Sequence, residues 1–266
     1  MTIGHPYNIN ELADAIGVKK VINDPDQQVD RISIDSRKIF SNENLIFIAL
    51  KGKNWDAHDY IQEAYEKGVR NFIIEKGKIL PSDANIIYVE NTLDALQKWA
   101  LIHREQFTLP IIAITGSNGK TIVKEWLFQL LKFKYSVVRS PKSYNSQIGV
   151  PLSLLQINDK HGIGLIEAGI STTGEMKKLE RLIKPEIGIL TNIGNAHDAG
   201  FNNRAEKIKE KLFLFNGVKT FIYNTEDISK SDSECFEGRS FNWGTGGEAV
   251  VVESCKVKEK GSKLDI

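Results

Sequence analysis

Ile111-Ile112-Ala113-Ile114-Thr115-Gly116-Ser117-Asn118-Gly119-Lys120-Thr121 is the stretch on which the fold of this chain turns. An apolar, β-branched run reads as a buried strand, two glycines bend it, and Lys-Thr opens a helical pattern that reaches Lys132. Glycines let the backbone curl so that successive N–H groups point at phosphate oxygens. The helix N-terminus behind them adds free donors and partial positive charge. In that setting Lys120 reaches the β- and γ-phosphates as a point charge, and Thr121 places its hydroxyl on Mg²⁺. Thr115, Gly116, Ser117, Asn118, Gly119 and Ile122 complete the candidate nucleotide loop. The general pattern G-x-x-x-x-G-K-[ST] would put glycine at position 114, where this chain has Ile114. What remains is the shorter TGSNGKT.

Working outward, strands and helices alternate on both sides of the loop, which defines the fold class as α/β. Before it, helices are expected at Ile9–Ile16, Asp59–Lys67 and Thr92–Phe107, with strands at Arg31–Asp35, Asn44–Leu50, Asn71–Glu75 and Asn85–Glu90. Thr108-Leu109-Pro110 breaks the last of these helices, since proline cannot continue the hydrogen-bond ladder. The domain boundary therefore falls there, giving an α/β N-terminal domain at 1–107 and a second domain at 108–266. The second repeats strand, helix, strand: Ile111–Ile114, Thr121–Lys132, Ser136–Arg139, Gly149–Gln156 (helix), Gly164–Glu167, Glu175–Ile183, Ile187–Thr191, Arg204–Phe213 and Thr220–Asn224. This is the pattern of a P-loop-type, mostly parallel sheet with helices on both faces. Past Asn224 the pattern turns irregular and ends in a charged, strand-like stretch from Val250 to Ile266. On this reading the central domain is incomplete at its C-terminus.

Composition narrows the function classes. The chain has 266 residues, 41% hydrophobic and 26% charged, ordinary for a globular protein of about two domains. Its 35 Lys+Arg against 34 Asp+Glu leave a net charge of +1, without the basic footprint of a nucleic-acid binder. No apolar run approaches the roughly 18 residues of a membrane span. The two cysteines, Cys235 and Cys255, are too far apart for a CxxC zinc or redox motif. A cytoplasmic protein without membrane insertion is the expectation.

Several later segments narrow the chemistry. Asn145-Ser146-Gln147-Ile148-Gly149 follows the second strand of the second domain, and Glu167 closes Ile166-Glu167-Ala168-Gly169. Thr191-Asn192-Ile193-Gly194-Asn195-Ala196-His197 ends the next strand, and Lys209-Glu210-Lys211-Leu212-Phe213 lies on the following helix. A carboxylate at a parallel strand's C-terminus borders the ligand crevice, and Mg²⁺ takes hard oxygen ligands. In the first domain, Asp35-Ser36-Arg37 and the later Asp56 and His58 stand out, although a strand-end turn and a helix cap account for such residues structurally.

In this order these segments resemble the Mur ligase family of cell-wall enzymes. The resemblance implies that the first domain holds the UDP end of the substrate through Asp35, Ser36 and Arg37, with Asn145 and Gln147 as further substrate contacts. It implies ATP and Mg²⁺ as cofactors, with Thr121, Glu167, His197 and Lys209 at the metal, Asn192 at the nucleotide, and Lys120, Glu167, His197 and Lys209 as the catalytic set. The family's lysine is carbamylated. The K-x-x-L-F spacing assigns it to Lys209, with Lys211 and Lys207 as alternatives. Ser146 replaces the second of two asparagines common in the family, and Ala168 stands where Leu or Met is commoner.

The implied reaction is ATP-driven amide formation. A peptide carboxylate becomes an acyl phosphate and an incoming amine displaces the phosphate, which requires positioning and charge neutralisation more than a protein nucleophile. The implied substrates are UDP-N-acetylmuramoyl-tripeptide and D-alanyl-D-alanine, and a monomer is expected. Family members carry a C-terminal ligase domain, expected to be absent from these residues, so the chain alone is expected to be inactive in ligation. Another Mur ligase, a folylpolyglutamate synthase-like ligase sharing TGSNGKT, and a P-loop ATPase or nucleotide-binding module are the alternatives.

Overall fold

The computed structural model describes residues 1–17, 19–52, 54–75, 83–194, 200–228, 236, 238–247, 249–251, 254–258 and 261–265. The chain divides into two units, Met1–Phe107 with Leu154–Asp159, and Thr108–Ser153 with Lys160–Ile266.

In the first unit, β1 (Thr2–Asn8), α1 (Ile9–Ile16), β2 (Lys19–Val21), β3 (Gln28–Ser33), β4 (Leu45–Ile48), α2 (Ile61–Glu66), β5 (Asn71–Glu75), β6 (Asn85–Val89) and α3 (Thr92–Glu105) follow in sequence. The sheet order is β1-β3-β4-β5-β6-β2. Pairing is parallel from β3 to β6 and antiparallel at the two edges. Asn8 starts α1 because its side chain accepts the N–H groups of Asn10 and Glu11 at 2.9 and 3.1 Å. The β3 strand stops at Ser33, short of the expected Asp35, because Asp35 caps a 3₁₀ turn over Ser36–Lys38. Asp56 does the same for Ala57–Tyr60, so α2 is shorter than the expected Asp59–Lys67 helix.

The second unit runs β7 (Ile111–Thr115), α4 (Lys120–Leu131), β8 (Val137–Arg139), α5 (Gly149–Leu154), β9 (Ile163–Glu167), α6 (Glu175–Ile183), β10 (Ile187–Leu190), α7 (Arg204–Leu212), β11 (Thr220–Asn224), β12 (Arg239–Gly244) and β13 (Val250–Val251). Its sheet order is β13-β12-β11-β10-β7-β9-β8, and each neighbouring pair is parallel. The stretch past Asn224, expected to be irregular, holds β12. The strand-like tail contains β13 and an antiparallel pair, β14 (Ser254–Lys258) and β15 (Gly261–Asp265).

Pleat alternation gives this sheet two covered faces. Ile112 and Ile114 of β7 and Ile163 and Leu165 of β9 pack under Val123, Leu127, Phe128 and Leu131 of α4. On β10, Ile187 and Ile189 share that face, so Gly188 points the other way, where a Cβ would overlap the buried ring of Phe215. The strand order places β7 centrally, with β9 on one side and β10 on the other. Their C-terminal ends carry Thr115, Glu167 and Thr191 to one end of the sheet, the side on which open α/β sheets bind ligands.

One departure from the expected helix boundaries has a clear cause. The helix expected over Gly149–Gln156 ends at Leu154, and Leu154–Asp159 belongs to the first unit. The Gly4 N–H donates to the Leu155 carbonyl at 2.7 Å, and a Cβ on Gly4 would overlap the Ile157 carbonyl. His103, fully buried, spans 2.9 Å from Nε2 to the Ile157 carbonyl and 2.7 Å from Nδ1 to the Tyr7 hydroxyl. A carbonyl only accepts, so Nε2 carries the proton and Nδ1 accepts from Tyr7. Burial pushes the His103 imidazole down to about 4. A histidine below its free value binds its proton only in the unfolded chain between the two pKa values, so stability falls as pH drops through that window. We expect acidification from about pH 6.5 to pH 4 to cost up to about 3 kcal/mol through this group. Urea unfolding across that range should lose this component in His103→Gln; an unchanged pH slope would contradict it.

Candidate functional site

The loop after β7 is built by two glycines in the left-handed region, Gly116 at φ +146° and Gly119 at φ +79°. At Gly116 space adds to the requirement, since a Cβ would overlap Thr191 Oγ1. The segment following β10, residues 191–194, then clamps the loop. The Ser117 N–H donates to the Asn192 carbonyl at 2.9 Å, and the Asn118 N–H to Asn192 Oδ1 at 2.8 Å. The Thr191 hydroxyl donates to the Asn118 carbonyl at 2.5 Å, and Ser117 Oγ to the Gly194 carbonyl at 3.0 Å. Asn192, expected at the nucleotide, is thus the loop's latch. Thr115 Oγ1 lies buried beneath it without a hydrogen-bond partner among the described residues. Ile122, on the first turn of α4, is largely exposed.

Cations converge on this loop. Lys120 Nζ curls back to the Gly116 carbonyl at 2.7 Å, and Lys211 Nζ reaches the same carbonyl at 3.3 Å. Lys207 Nζ donates to the Gly194 carbonyl, which also accepts from Ser117. Burial lowers Lys120, a shift that Glu167 partly offsets. Burial pushes Lys211 down to about 8, with Lys120 and Lys207 adding repulsion.

Helix phase separates the lysines of α7. Lys207 and Lys211, four residues apart, share the buried face, whereas Lys209 points to solvent. Counting K-x-x-L-F fixes a position along the chain but not the face it occupies. The i, i+4 pairing of Lys207 and Lys211 was the available signal. His197 lies outside the described residues.

Glu167 sits fully buried at the end of β9. Its N–H donates to Ser140 Oγ at 3.1 Å, and its Oε2 accepts from the Thr121 hydroxyl at 3.1 Å. Its Oε1 lies 2.9 Å from Lys124 Nζ, close enough to pair ionically but outside hydrogen-bond alignment. Mg²⁺ is held by one or two carboxylates together with substrate phosphates. Thr121 Oγ1 beside a buried carboxylate oxygen is a hard-oxygen donor pair of that kind, so these residues fit the ion. Among the described residues no group of three or more His, Cys, Asp or Glu converges.

The remaining candidates separate. Asn145 stands close to the same strand end: its carbonyl accepts from the Gly169 N–H at 2.7 Å, and a Cβ on Gly169 would press on its amide at 3.0 Å. Gln147 Nε2 donates to the Glu175 carbonyl at 3.0 Å, while Ser146 Oγ accepts the Gly149 N–H at 3.2 Å near the start of α5. In the first unit Asp35 is forked by Arg37, at 2.9 and 3.0 Å, which brings its carboxyl down to about 2. Ser36 is buried with its hydroxyl on Glu63 at 3.0 Å, whereas the Arg37 side chain is 83% exposed. The Asp35–Arg37 segment is thus a strand-end turn that leaves the guanidinium at the surface. His58 is locked between Asp56, at 2.6 Å, and the Glu75 N–H, at 3.0 Å.

Sheet, loop and converging lysines together define a P-loop-type α/β protein. A family description of the Mur ligase middle domain matches residues 114–266, more than half of the chain, and the chain belongs to the Mur ligase family. A UDP-N-acetylmuramoyl-tripeptide–D-alanyl-D-alanine ligase of Bacillus subtilis (strain 168) is 29% identical over 239 residues, 88% of this chain and 52% of that protein. One of Buchnera aphidicola subsp. Baizongia pistaciae is 33% identical over 241 residues, with the same two shares. The crystal structure of the MurF ligase of Thermotoga maritima in complex with ADP superposes with a TM-score of 0.76 at 28% identity, covering 88% of this chain and 55% of that one. The chain spans about half the length of the curated relatives it matches.

The lysine cluster yields a stability prediction. A lysine held near 8 instead of 10.5 destabilises the fold at neutral pH, and the penalty fades as pH rises from 8 toward 10.5. In CO₂-free buffer at pH 7, Lys211→Met should therefore stabilise the ligand-free chain by about 2 kcal/mol, allowing for the lost bond to Gly116. Thermal melts at pH 7 and pH 10 should show the gain shrinking; destabilisation at pH 7 would contradict it.

Proposed function

We propose that this chain holds the nucleotide and UDP-precursor binding regions of an ATP-dependent ligase of peptidoglycan synthesis, which joins D-alanyl-D-alanine to UDP-N-acetylmuramoyl-tripeptide. The observation that carries the reading is the convergence of Lys120 and Lys211 on the Gly116 carbonyl, beside the Thr121–Glu167 oxygen pair. Kinship with ligases named for that reaction supports the choice of substrates. Asp35, Ser36 and Arg37 are assigned to the UDP end, with the exposed Arg37 as the group offered to it, and Asn145 and Gln147 to the substrate beside β9. A cytoplasmic monomer goes with this reading.

Two balanced steps follow. A tripeptide carboxylate oxygen bonds to the γ-phosphorus as the bond to the bridging oxygen breaks, giving an acyl phosphate and ADP. The D-alanyl-D-alanine amine then bonds to the acyl carbon as the C–O bond to phosphate breaks, and the amine proton leaves to solvent. Lys120 and the leading N–H groups of α4 hold the phosphates in line, which is most of what phosphoryl transfer requires. Thr121 and Glu167 would hold Mg²⁺, which would supply neutralisation of phosphate charge. We assign the family's carbamylated lysine to Lys211. Its lowered pKa leaves some neutral amine, which attacks CO₂ and loses a proton. The product is an anion, which converts repulsion from Lys120 and Lys207 into attraction. A ¹³C carbamate signal from labelled bicarbonate that survives in Lys211→Met would overturn this assignment.

The precursor itself provides the test. In a thermal-shift titration, UDP-N-acetylmuramoyl-tripeptide should raise the melting temperature in proportion to ln(1 + [L]/Kd), more than UDP alone, with a folate inert. A shift with folate and none with the UDP-peptide would replace this reading with a folylpolyglutamate synthase-like one.

A further inference from the structure

Lys124 is a fully buried lysine that the reaction above does not use. It lies one helical turn after Lys120 on α4, and its ammonium faces into the unit. Nζ donates to the carbonyls of Ser140 at 2.8 Å and Lys142 at 2.5 Å. It also lies 2.9 Å from Glu167 Oε1 and 3.2 Å from Glu125 Oε1. An ammonium has three donors. Two are used by the 140–142 turn, and the charge lies beside the two carboxylates as an ion pair.

The consequence for Glu167 is asymmetric. Oε1 is drawn toward Lys124, while Oε2 is left beside the Thr121 hydroxyl at 3.1 Å, on the side of the phosphate loop. The same ammonium holds Lys142 in the left-handed region, at φ +49°, a conformation that costs a non-glycine residue energy. That turn sets Ser143 Oγ at 3.5 Å from Thr121 Oγ1 and leads into Asn145. Burying a lone ammonium is expensive. Four carbonyl and carboxylate oxygens around it, from three separate segments, make it a structural node.

We propose that Lys124 is a positioning residue for the cation site: it pins one oxygen of Glu167 so that the other alone is presented beside Thr121, and it holds the 140–142 turn against the same point. Glu167 is then a one-oxygen ligand. This rests on the reading of the loop as a Mg²⁺–nucleotide site.

The test is the strengthening of ADP binding by Mg²⁺, measured by calorimetry with the full 266-residue chain. In Lys124→Met the Mg²⁺-dependent gain in affinity should fall by about tenfold or more, as for lost outer-shell partners of metal ligands. Metal-free ADP affinity, set by the loop and Lys120, should stay near wild type. Equal loss with and without Mg²⁺ would make Lys124 merely structural, and an unchanged or larger gain would make it a competitor of the ion; either overturns the proposal. Lys124→Met leaves Glu167 without its buried counter-charge, so folding is at risk. The wild-type chain therefore provides a second readout. In infrared difference spectra with Mg²⁺·ADP, the Glu167 carboxylate band, assigned by its loss in Glu167→Gln, should show the wider stretch splitting of one-oxygen ligation. A narrowed splitting, from two-oxygen ligation, overturns the proposal alone. Absence of ADP binding by the wild type would instead overturn the nucleotide reading, and this one with it.

Discussion

The turn at Gly116 is the constraint on which the rest of the second unit depends. At φ +146°, with Thr191 Oγ1 where a side chain would begin, only glycine carries β7 into the loop. That turn leaves the Gly116 carbonyl facing inward, and a buried carbonyl needs donors. Lys120 and Lys211 supply them, one from the helix the loop opens and one from a helix some ninety residues later. The backbone geometry of one residue thus gathers two cations that local sequence does not bring together.

The gathering carries an electrostatic cost that a ligand would relieve. Lys120, Lys207 and Lys211 lie close enough for mutual repulsion to lower Lys211, and Glu167 offsets only part of it at Lys120. A site that holds cations against repulsion is preorganised for an anion, since the donors are already aimed and need no rearrangement. The opposite edge of the site is arranged in the same manner with reversed sign. Glu167 is dry, fixed by Ser140, Thr121 and Lys124, and presents oxygen toward the loop. Phosphate on one side and a hard cation on the other is the division of labour that this geometry favours.

Much of this was legible in the residues. The strand–glycine–Lys-Thr–helix run and the β-branched, apolar strands predict β7, α4 and the parallel sheet, because burial on both faces leaves a continuous apolar pattern. Ends of elements were harder. Asp35 and Asp56 each captured a backbone N–H two residues on, and the polar side chain won over the propensity of the neighbouring residues. The diversion of Leu154–Asp159 into the first unit was invisible, because it depends on Gly4 and His103, far away in sequence. Motif spacing picks Lys209 but carries no helical phase, and that residue lies exposed on α7. Lys124 carries no signal in the sequence, since a Lys-Glu pair on an amphipathic helix ordinarily faces water, and only the return of Ser140, Lys142 and Glu167 around it buries the ammonium.

The central claim is that residues 115–121 seat a nucleotide's phosphates and are not merely a strand-to-helix turn. Calorimetric titration of ADP into the wild-type chain and into Lys120→Met tests it most directly, with melting temperatures taken on both. The account predicts saturable binding by the wild type and a loss of about an order of magnitude or more in Lys120→Met, since charge-assisted contacts to phosphate are each worth roughly 1.5–3 kcal/mol. The variant should keep its fold. Equal affinity in the two proteins, or no binding by a folded wild-type chain, would contradict it.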